Sequence, residues 1–224
     1  MILNIEKLNL EIDGEKLLRD IDFHMEKGEV VGLVGESGSG KPLTTKFILG
    51  MLPERSIIKY EKCEKNCKIG AVFQNAFISL NPTIKIGSQL KRLYESHYGT
   101  SENWKEKVVS LLEKVGIKDI EKFLKKYPHE TSGGERQRVV IAGALIGEPD
   151  LLIADEVTTA LDLRTKKEVI NLFKEIRKNL GISILFISHD LDSVRDFVDR
   201  VSVMYQGRIV EENSCEEIFQ HQEH

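Results

Sequence analysis

The clearest candidate for a binding or catalytic site in this sequence is a glycine-rich loop that is followed by a lysine. Gly35, Gly38 and Gly40 precede Lys41, and the apolar run Val30–Val34 leads into them. Glycines lack Cβ atoms, so successive backbone N–H groups can curl around an anion, and the start of a following helix adds partial positive charge. The lysine supplies a full charge to terminal phosphates. The spacing predicts a phosphate-binding loop; an ordinary glycine-rich turn between strand and helix is the alternative.

One position of the loop departs from the pattern G-x-x-x-x-G-K-[ST]. Pro42 stands where serine or threonine would follow the lysine, so the hydroxyl that would bind Mg²⁺ is missing. Proline also removes a backbone N–H that would face phosphate, and it disfavours helical geometry at Lys41. A proline in the first helical turn is tolerated. We therefore expect the fold to survive and Mg²⁺-dependent chemistry to be weakened, with Thr44 and Thr45 as poor substitutes.

Two adjacent carboxylates follow a second apolar run. Asp155 and Glu156 stand at the carboxyl end of Leu151–Asp155. Ligands of open α/β sheets collect at that end of the strands. One carboxylate can hold Mg²⁺, usually through water, and the next can act on an attacking water. The alternative is a strand that meets solvent at an acidic turn.

Three more positions are candidates for phosphate contacts. Ser132, two glycines and Glu135, here called the SGGE motif, come just before a helical pattern, where exposed N–H groups could form a second anion site. The alternative there is an ordinary N-cap with Glu135 in a capping box. His189 follows the apolar run Ser183–Ser188 and could touch a phosphate, although a lone histidine is more often structural. Gln74, at the end of a short strand, is the weakest candidate.

These groups must be positioned by the predicted strands and helices. The two kinds of element alternate along the chain, which favours a mostly parallel sheet covered on both faces. The strands are predicted at Leu3–Ile12 with a bulge near Lys7, 17–25, Val30–Val34, 69–74, Leu151–Asp155 and Ser183–Ser188, with a hairpin over 201–210 turning at Gln206 and Gly207. The helices are predicted at 43–49, about 104–115 with Ser101 as N-cap, 120–127, 135–146, Leu163–Leu180 and 191–197. The charged stretch 59–68 is predicted to be an exposed loop or hairpin.

Together these elements predict an α/β fold in one domain over 1–224. Its parts are a P-loop NTPase core, an N-terminal antiparallel β part and an inserted helical subdomain at about 76–148.

Composition argues against several other classes of protein. The chain has 224 residues, of which 41% are hydrophobic and 30% charged, and its net charge of −4 gives no reason to expect nucleic-acid wrapping. Its longest apolar stretch, 139–147, is far short of a membrane span, and the N-terminus has no signal-peptide layout. We therefore predict a cytoplasmic protein. Cys63 and Cys67 lack the second ligand pair of a metal site.

In order and spacing, these motifs resemble the nucleotide-binding subunit of an ABC transporter, over nearly the whole chain. The resemblance implies ATP and Mg²⁺ as cofactors. Glu156 would be the catalytic base, His189 the switch histidine and Gln74 the Q-loop residue. Asp155 would hold Mg²⁺ together with Gln74, and Asp162 would belong to the D-loop. The remaining nucleotide contacts would come from Gly35, Glu36, Ser37, Gly38, Ser39, Gly40, Lys41, Pro42, Leu43, Ser132, Gly133, Gly134 and Glu135.

Within that family the chain resembles the peptide and nickel importer branch. The stretches that carry this likeness are GESGSGK at 35–41, SLNP at 79–82, YPHE at 127–130 and TTALD at 158–162. The resemblance implies an ATPase that powers a membrane importer for peptides, nickel or metal chelates. Such subunits form head-to-tail dimers with a second nucleotide-binding subunit, dock on transmembrane permease subunits, and lie on the inner face of the cell membrane.

Other functions fit parts of the sequence. Pro42 favours a subunit with a degenerate site that supports a different, active partner, whereas Glu156 and His189 argue against a wholly inert subunit. Soluble ABC ATPases of translation or DNA repair usually have two such domains or a long coiled coil, and this sequence shows neither pattern. The SGGE motif disfavours a P-loop GTPase or kinase.

Ile12 stands where the family often has an aromatic residue that stacks on adenine, which implies weak base binding.

Overall fold

The computed structural model describes residues 1–73, 79–100, 102–159, 162–190 and 195–221. Within these ranges the strands are β1 (Leu3–Ile12), β2 (Glu15–Met25), β3 (Val30–Val34), β4 (Ser56–Lys59), β5 (Lys62–Lys65), β6 (Ile69–Val72), β7 (Leu151–Asp155), β8 (Ser183–Ser188), β9 (Arg200–Tyr205) and β10 (Arg208–Ser214). The helices are α1 (Lys41–Leu49), α2 (Ile86–Tyr98), α3 (Trp104–Lys114), α4 (Ile120–Phe123), α5 (Gly133–Leu145), α6 (Leu163–Leu180) and α7 (Cys215–His221).

The larger sheet has the strand order β10-β9-β3-β8-β7-β6, and only β10 runs antiparallel to its neighbour. Its central strands β3 and β8 are buried at every position, as expected for parallel strands covered on both faces. The predicted mostly parallel, covered sheet is therefore confirmed.

Alternate residues of the central strands enter two separate cores, because successive side chains of a strand point to opposite faces. Phe186 belongs to the core under α6, where its ring meets Phe173 edge-on at 5.7 Å between centroids. Ile153 and Leu185 face the other way, into a core shared with Phe47 of α1 and with the N-terminal strands. The sheet is thus held from both sides, which fixes the positions at which its strands end.

The smaller sheet has the order β2-β1-β4, and β5 also pairs with β1. Its bulge lies where the sequence predicts one: the register shifts between Ile5 and Leu8, and Lys7 has a φ of 54°. The stretch 59–68, predicted to be an exposed loop or hairpin, contains strand β5, which pairs with β1, and the last residue of β4. Most residues of both strands face solvent, including Ile57 and Ile58 of β4, so neither strand shows the alternation of apolar and polar residues that marks a half-buried strand.

The predicted helical subdomain, at about 76–148, differs from the prediction in three places. α2 was not predicted, although Ile86, Leu90 and Tyr94 recur at helical spacing and are buried. α4 ends at Phe123 and a 3₁₀ turn, Pro128–Glu130, follows, so the predicted helix over 120–127 was too long. α5 begins two residues before the predicted 135. Ser101 and residues 191–194 lie outside the described ranges. Among the described helices, none is long and apolar enough to cross a membrane.

Lys65 of β5 caps the carboxyl end of α1, the helix that follows the glycine loop. Its ammonium donates hydrogen bonds to the carbonyls of Phe47 (2.8 Å) and Ile48 (2.9 Å), and it lies 4.7 Å from the centre of the Phe47 ring. A cation at this end complements the helix dipole, and it adds a second hydrogen bond at the Phe47 carbonyl, which also accepts from the Gly50 N–H at 3.1 Å.

We expect Lys65→Met to lower the free energy of unfolding by about 1–2 kcal/mol, because charged hydrogen bonds to helix-terminal carbonyls are lost. Urea unfolding would measure the change. Lys62→Met is the matched control, since Lys62 pairs with Glu64 at a surface site where both side chains are nearly half exposed. Equal effects of the two substitutions would contradict a capping role.

Candidate nucleotide-binding site

Three of the predicted groups follow neighbouring strands of the larger sheet. Val34 of β3 pairs with Ser188 of β8, and Ile187 of β8 pairs with Asp155 of β7. The glycine loop, His189 and Glu156 therefore leave the sheet at the same edge, the carboxyl end of the parallel strands. His189 is exposed there.

The backbone of the glycine loop requires glycine at two of its positions. Gly35 has a φ of 151°, and a Cβ atom on it would lie 2.2 Å from the carbonyl oxygen of Met204. Gly40 has a φ of 111°, and its Cβ would lie 2.7 Å from Leu18. Side chains at these positions would push the loop off the sheet. Between them, Glu36, Ser37 and Gly38 form the exposed rim of the loop, whereas Ser39 is buried.

The loop also rests on the β9–β10 hairpin, a support that the sequence did not predict. Gly207, in the turn, donates its N–H to the carbonyl of Ser39 at 2.9 Å, and the turn also contacts β2. Gln206 and Gly207 marked the turn in the sequence, and the hairpin is confirmed. No local pattern indicated that a turn 168 residues further along the chain would pack against Ser39.

The amino end of α1 accommodates Pro42 in its first turn, so the helix starts at Lys41 rather than at residue 43 as predicted. Leu43 and Thr44 donate their N–H groups to the carbonyl of Gly40, and a residue in this turn has no intrahelical partner for its own N–H. The hydroxyls of Thr44 and Thr45 are buried and donate to the carbonyls of Gly40 (3.2 Å) and Lys41 (3.0 Å). These contacts support the prediction that neither threonine replaces the missing hydroxyl.

Lys41 lies inside the loop, with only 1% of its surface exposed. Its ammonium donates to the carbonyls of Gly35 (2.6 Å) and Glu36 (2.8 Å). Burial lowers the pKa of Lys41, while the negative charges of Glu156 and Asp155 act in the opposite direction. The lysine therefore lies close enough to Asp155 and Glu156 to interact with them electrostatically, as expected if all three act on the same nucleotide.

Asp155 and Glu156 form a partly buried acidic pair. Burial raises the pKa of Asp155, the adjacent Glu156 raises it further, and Lys41 and Lys46 oppose both. A half-buried carboxylate beside a second one is a suitable ligand for Mg²⁺, which prefers one or two carboxylates with several waters. The donor set fits only in part, because position 42 offers no hydroxyl oxygen.

Glu156 is held in an unusual backbone conformation. Its φ is 49°, in the left-handed region, and its N–H donates to the carbonyl of Ile187 at 3.0 Å. Its carboxylate accepts a hydrogen bond from the hydroxyl of Thr159 at 3.3 Å. This last contact was not predicted from the sequence.

The SGGE motif forms the amino end of α5. Glu135 donates its N–H to the Ser132 hydroxyl (3.2 Å), and the Ser132 N–H donates to the Glu135 carboxylate (2.8 Å). These bonds lower the pKa of Glu135. This is the capping box given above as the alternative; it leaves Gly133 and Gly134 in the first turn, and a role in anion binding stays a prediction.

Asp162 has a comparable capping role on α6, where it accepts from the N–H groups of Arg164 (3.0 Å) and Thr165 (3.1 Å). Gln74 and residues 160–161 lie outside the described residues, so their predicted roles stay predictions.

A family model described as "ABC transporter" matches residues 18–159. The chain belongs to the ABC transporter family. Two similar proteins come from Bacillus subtilis (strain 168). The oligopeptide transport ATP-binding protein OppD is 43% identical over 221 residues, which are 90% of this chain and 62% of OppD. The dipeptide transport ATP-binding protein DppD is 41% identical, over 92% of this chain and 68% of DppD.

Solved structures of ABC proteins share the fold. The structure of cbiO1 from Clostridium perfringens, part of the ABC transporter complex cbiONQ, has a TM-score of 0.83 at 30% identity and covers 99% of this chain and 92% of its own. A dimeric ATP-binding cassette, MJ0796, bound to ADP and Pi, has a TM-score of 0.75 at 24% identity, over 95% of this chain and 98% of its own. The predicted family and its P-loop fold are confirmed.

Proposed function

We propose that this chain binds and hydrolyses ATP as the nucleotide-binding subunit of a membrane importer. The observation that carries the proposal is the meeting of the glycine loop, the buried Lys41 and the Asp155–Glu156 pair at one edge of the sheet. The chain spans about 62% of the length of OppD, one of the relatives it matches. The names of OppD and DppD favour peptides as cargo over nickel or metal chelates.

Each residue of the site would have its own role in ATP binding and hydrolysis. Lys41, whose ammonium already donates two hydrogen bonds in the loop, would exchange carbonyl oxygens for phosphate oxygens. Asp155 would hold hydrated Mg²⁺ with help from Gln74, and the ion would supply charge neutralisation at the phosphates. Glu156 would orient and polarise the attacking water, and the exposed His189 would contact the terminal phosphate.

Two copies, or this chain and a related subunit, would complete the site. Ser132 to Glu135 begin a helix, and Asp162 caps another, so both motifs present helix amino ends. In the head-to-tail dimer, the SGGE motif of one subunit would meet the nucleotide on the loop of the other. We propose that the whole of 1–224 acts as one nucleotide-binding domain in this dimer, with 76–148 as its helical subdomain.

A groove between the larger sheet and the helical segment offers a surface for permease subunits. Its volume is about 1010 Å³. Phe73 beyond β6 and Leu93 of α2 line it and are 41% and 38% exposed, which is unusual for such large apolar side chains. Permease contact here would place the chain on the inner face of the cell membrane.

A second function is favoured by Pro42. A subunit whose own site lacks a Mg²⁺ ligand could hold nucleotide while its SGGE motif completes the site of a different, active partner. The backbone cradle, Lys41 and Glu156 would be needed in the first function, whereas only the SGGE motif would be needed at the partner's site. Turnover by this chain without a partner therefore separates the two.

Equilibrium binding of Mg²⁺-ATP, followed by calorimetry, tests the proposal. We expect binding by the chain, and a loss of about 10- to 100-fold in affinity for Lys41→Met, because charge-assisted hydrogen bonds to phosphate disappear. Lys62→Met is the matched control, since Lys62 pairs with Glu64 at a surface site on β5, away from the glycine loop. Absence of binding, or equal losses in both variants, would refute a nucleotide site at this loop.

A further inference from the structure

We infer that Thr159 is a positioning residue for Glu156, holding its carboxylate in the orientation that activates water. The inference rests on the proposed function, because it assigns a role only if Glu156 acts on an attacking water. Thr159 would not contact the nucleotide or the reacting atoms itself.

The contact that supports this role is direct. The Thr159 hydroxyl lies 3.3 Å from Oε2 of Glu156 and is its hydrogen-bond donor, since an ionised carboxylate only accepts. Both side chains are half-buried. The two residues also close a turn, in which the Thr159 N–H donates to the Glu156 carbonyl at 3.2 Å. The hydroxyl and the carboxylate are therefore on one rigid turn.

The backbone of this turn has its own supports, which do not involve the Thr159 hydroxyl. Gln137 of α5 donates from its side chain to the carbonyl of Val157 at 2.8 Å, and Gln137 is buried. Val157 and Thr158 are buried too, and the Glu156 N–H is bonded to Ile187 of β8. Removing the hydroxyl would therefore free the glutamate side chain without releasing the turn.

The carboxylate needs such a restraint, because a glutamate has three rotatable side-chain bonds. The backbone contacts fix where the Glu156 side chain starts, and they leave its Oε atoms free to turn toward solvent. A general base must stay within hydrogen-bond reach of the water that it activates, and displacement of a reacting group by about 1 Å costs up to 10²-fold in rate. In the described part of the chain, the carboxylate accepts this side-chain hydrogen bond from Thr159, which is directional, whereas its attraction to the Lys41 charge is not.

The test compares Thr159→Val with Thr159→Ser, because valine keeps the shape of threonine without the hydroxyl, whereas serine keeps the hydroxyl. The parents are the chain itself and its Pro42→Ser variant. In the parent that turns over, we expect Thr159→Val to lower kcat by about 10-fold with KM within about 2-fold, as for loss of orientation at the base. Thr159→Ser should restore kcat to within about 3-fold of the parent. Rates are divided by the nucleotide sites titrated in each preparation, so that unfolded protein does not count.

Each outcome decides between specific claims. Equal kcat values for Thr159→Val and its parent, equal losses for valine and serine, or a change confined to KM would overturn the role of Thr159 and leave the proposed function intact. If both parents bind ATP but neither hydrolyses it, the hydrolytic part of the proposed function fails, and the role of Thr159 fails with it.

Discussion

Pro42→Ser should raise the rate of Mg²⁺-dependent ATP hydrolysis by roughly 10- to 100-fold, because it restores one ligand to the metal at a site where transition-state charge is stabilised electrostatically. The other groups that this reaction needs are already in place. Gly35 and Gly40 have the required backbone conformations, Lys41 is inside the loop, and Asp155 and Glu156 stand together at the carboxyl end of β7. Steady-state release of phosphate, measured over a series of Mg²⁺ concentrations, would show the change in both kcat and the Mg²⁺ requirement.

Pro42→Ala separates the two effects of the proline. Alanine restores the backbone N–H and removes the constraint on Lys41, but it provides no hydroxyl. We expect it to recover little of the rate if the missing metal ligand dominates, and most of the rate if the missing N–H does. If the chain with Pro42 already hydrolyses ATP as fast as Pro42→Ser, then another group or a water replaces the hydroxyl, and our interpretation of this position is wrong.

The fold was most predictable where local pattern and burial coincide. β7, β8 and α6 have the predicted bounds. The two strands are buried apart from the half-buried Asp155, and α6 is strongly amphipathic and ends at a clear signal, Gly181. β4 and β5 were less predictable, since most of their residues face solvent and their pairing with β1 is non-local. A strand that forms because of such tertiary contacts, against its local preference, has no hydrophobic periodicity in its sequence by which it could be predicted.

The candidate site follows the same rule. Gly35, Lys41, Asp155 and Glu156 belong to continuous motifs, so the sequence indicated both the residues and the chemistry. Their supports come from distant or unpatterned positions: the hairpin turn at Gly207 lies under the loop, and the Thr159 hydroxyl lies against the Glu156 carboxylate. Spacing rules capture the groups that react, whereas the groups that orient them depend on the packed structure.

The SGGE motif shows where one sequence supports two interpretations at once. Ser132 and Glu135 form a capping box, which is a structural role, and the same geometry leaves Gly133 and Gly134 in the first turn of α5. A helix amino end that is capped by its own side chains can still present backbone N–H groups to an anion. The two roles are therefore compatible, and a partner subunit would be needed to observe the second.

Glu156→Gln, placed in the Pro42→Ser chain, should lower kcat by about 10²-fold or more, because glutamine keeps the shape of the side chain but cannot accept a proton. ATP affinity should stay within about 3-fold of the parent, since the phosphates are held by the loop and Lys41 rather than by this carboxylate. Phosphate release gives the rate, and calorimetry gives the affinity.

Glu168→Gln is the control for loss of one negative charge, because Glu168 is exposed on α6 and pairs there with Arg164. It should leave kcat unchanged. A Glu156→Gln chain that keeps a third or more of the parent rate would mean that another group activates the water, and would remove the reason for the Thr159 contact. A chain that loses turnover but retains ATP would instead be the form in which to seek the head-to-tail dimer, because an unhydrolysed nucleotide between the glycine loop and the SGGE motif would hold two subunits together.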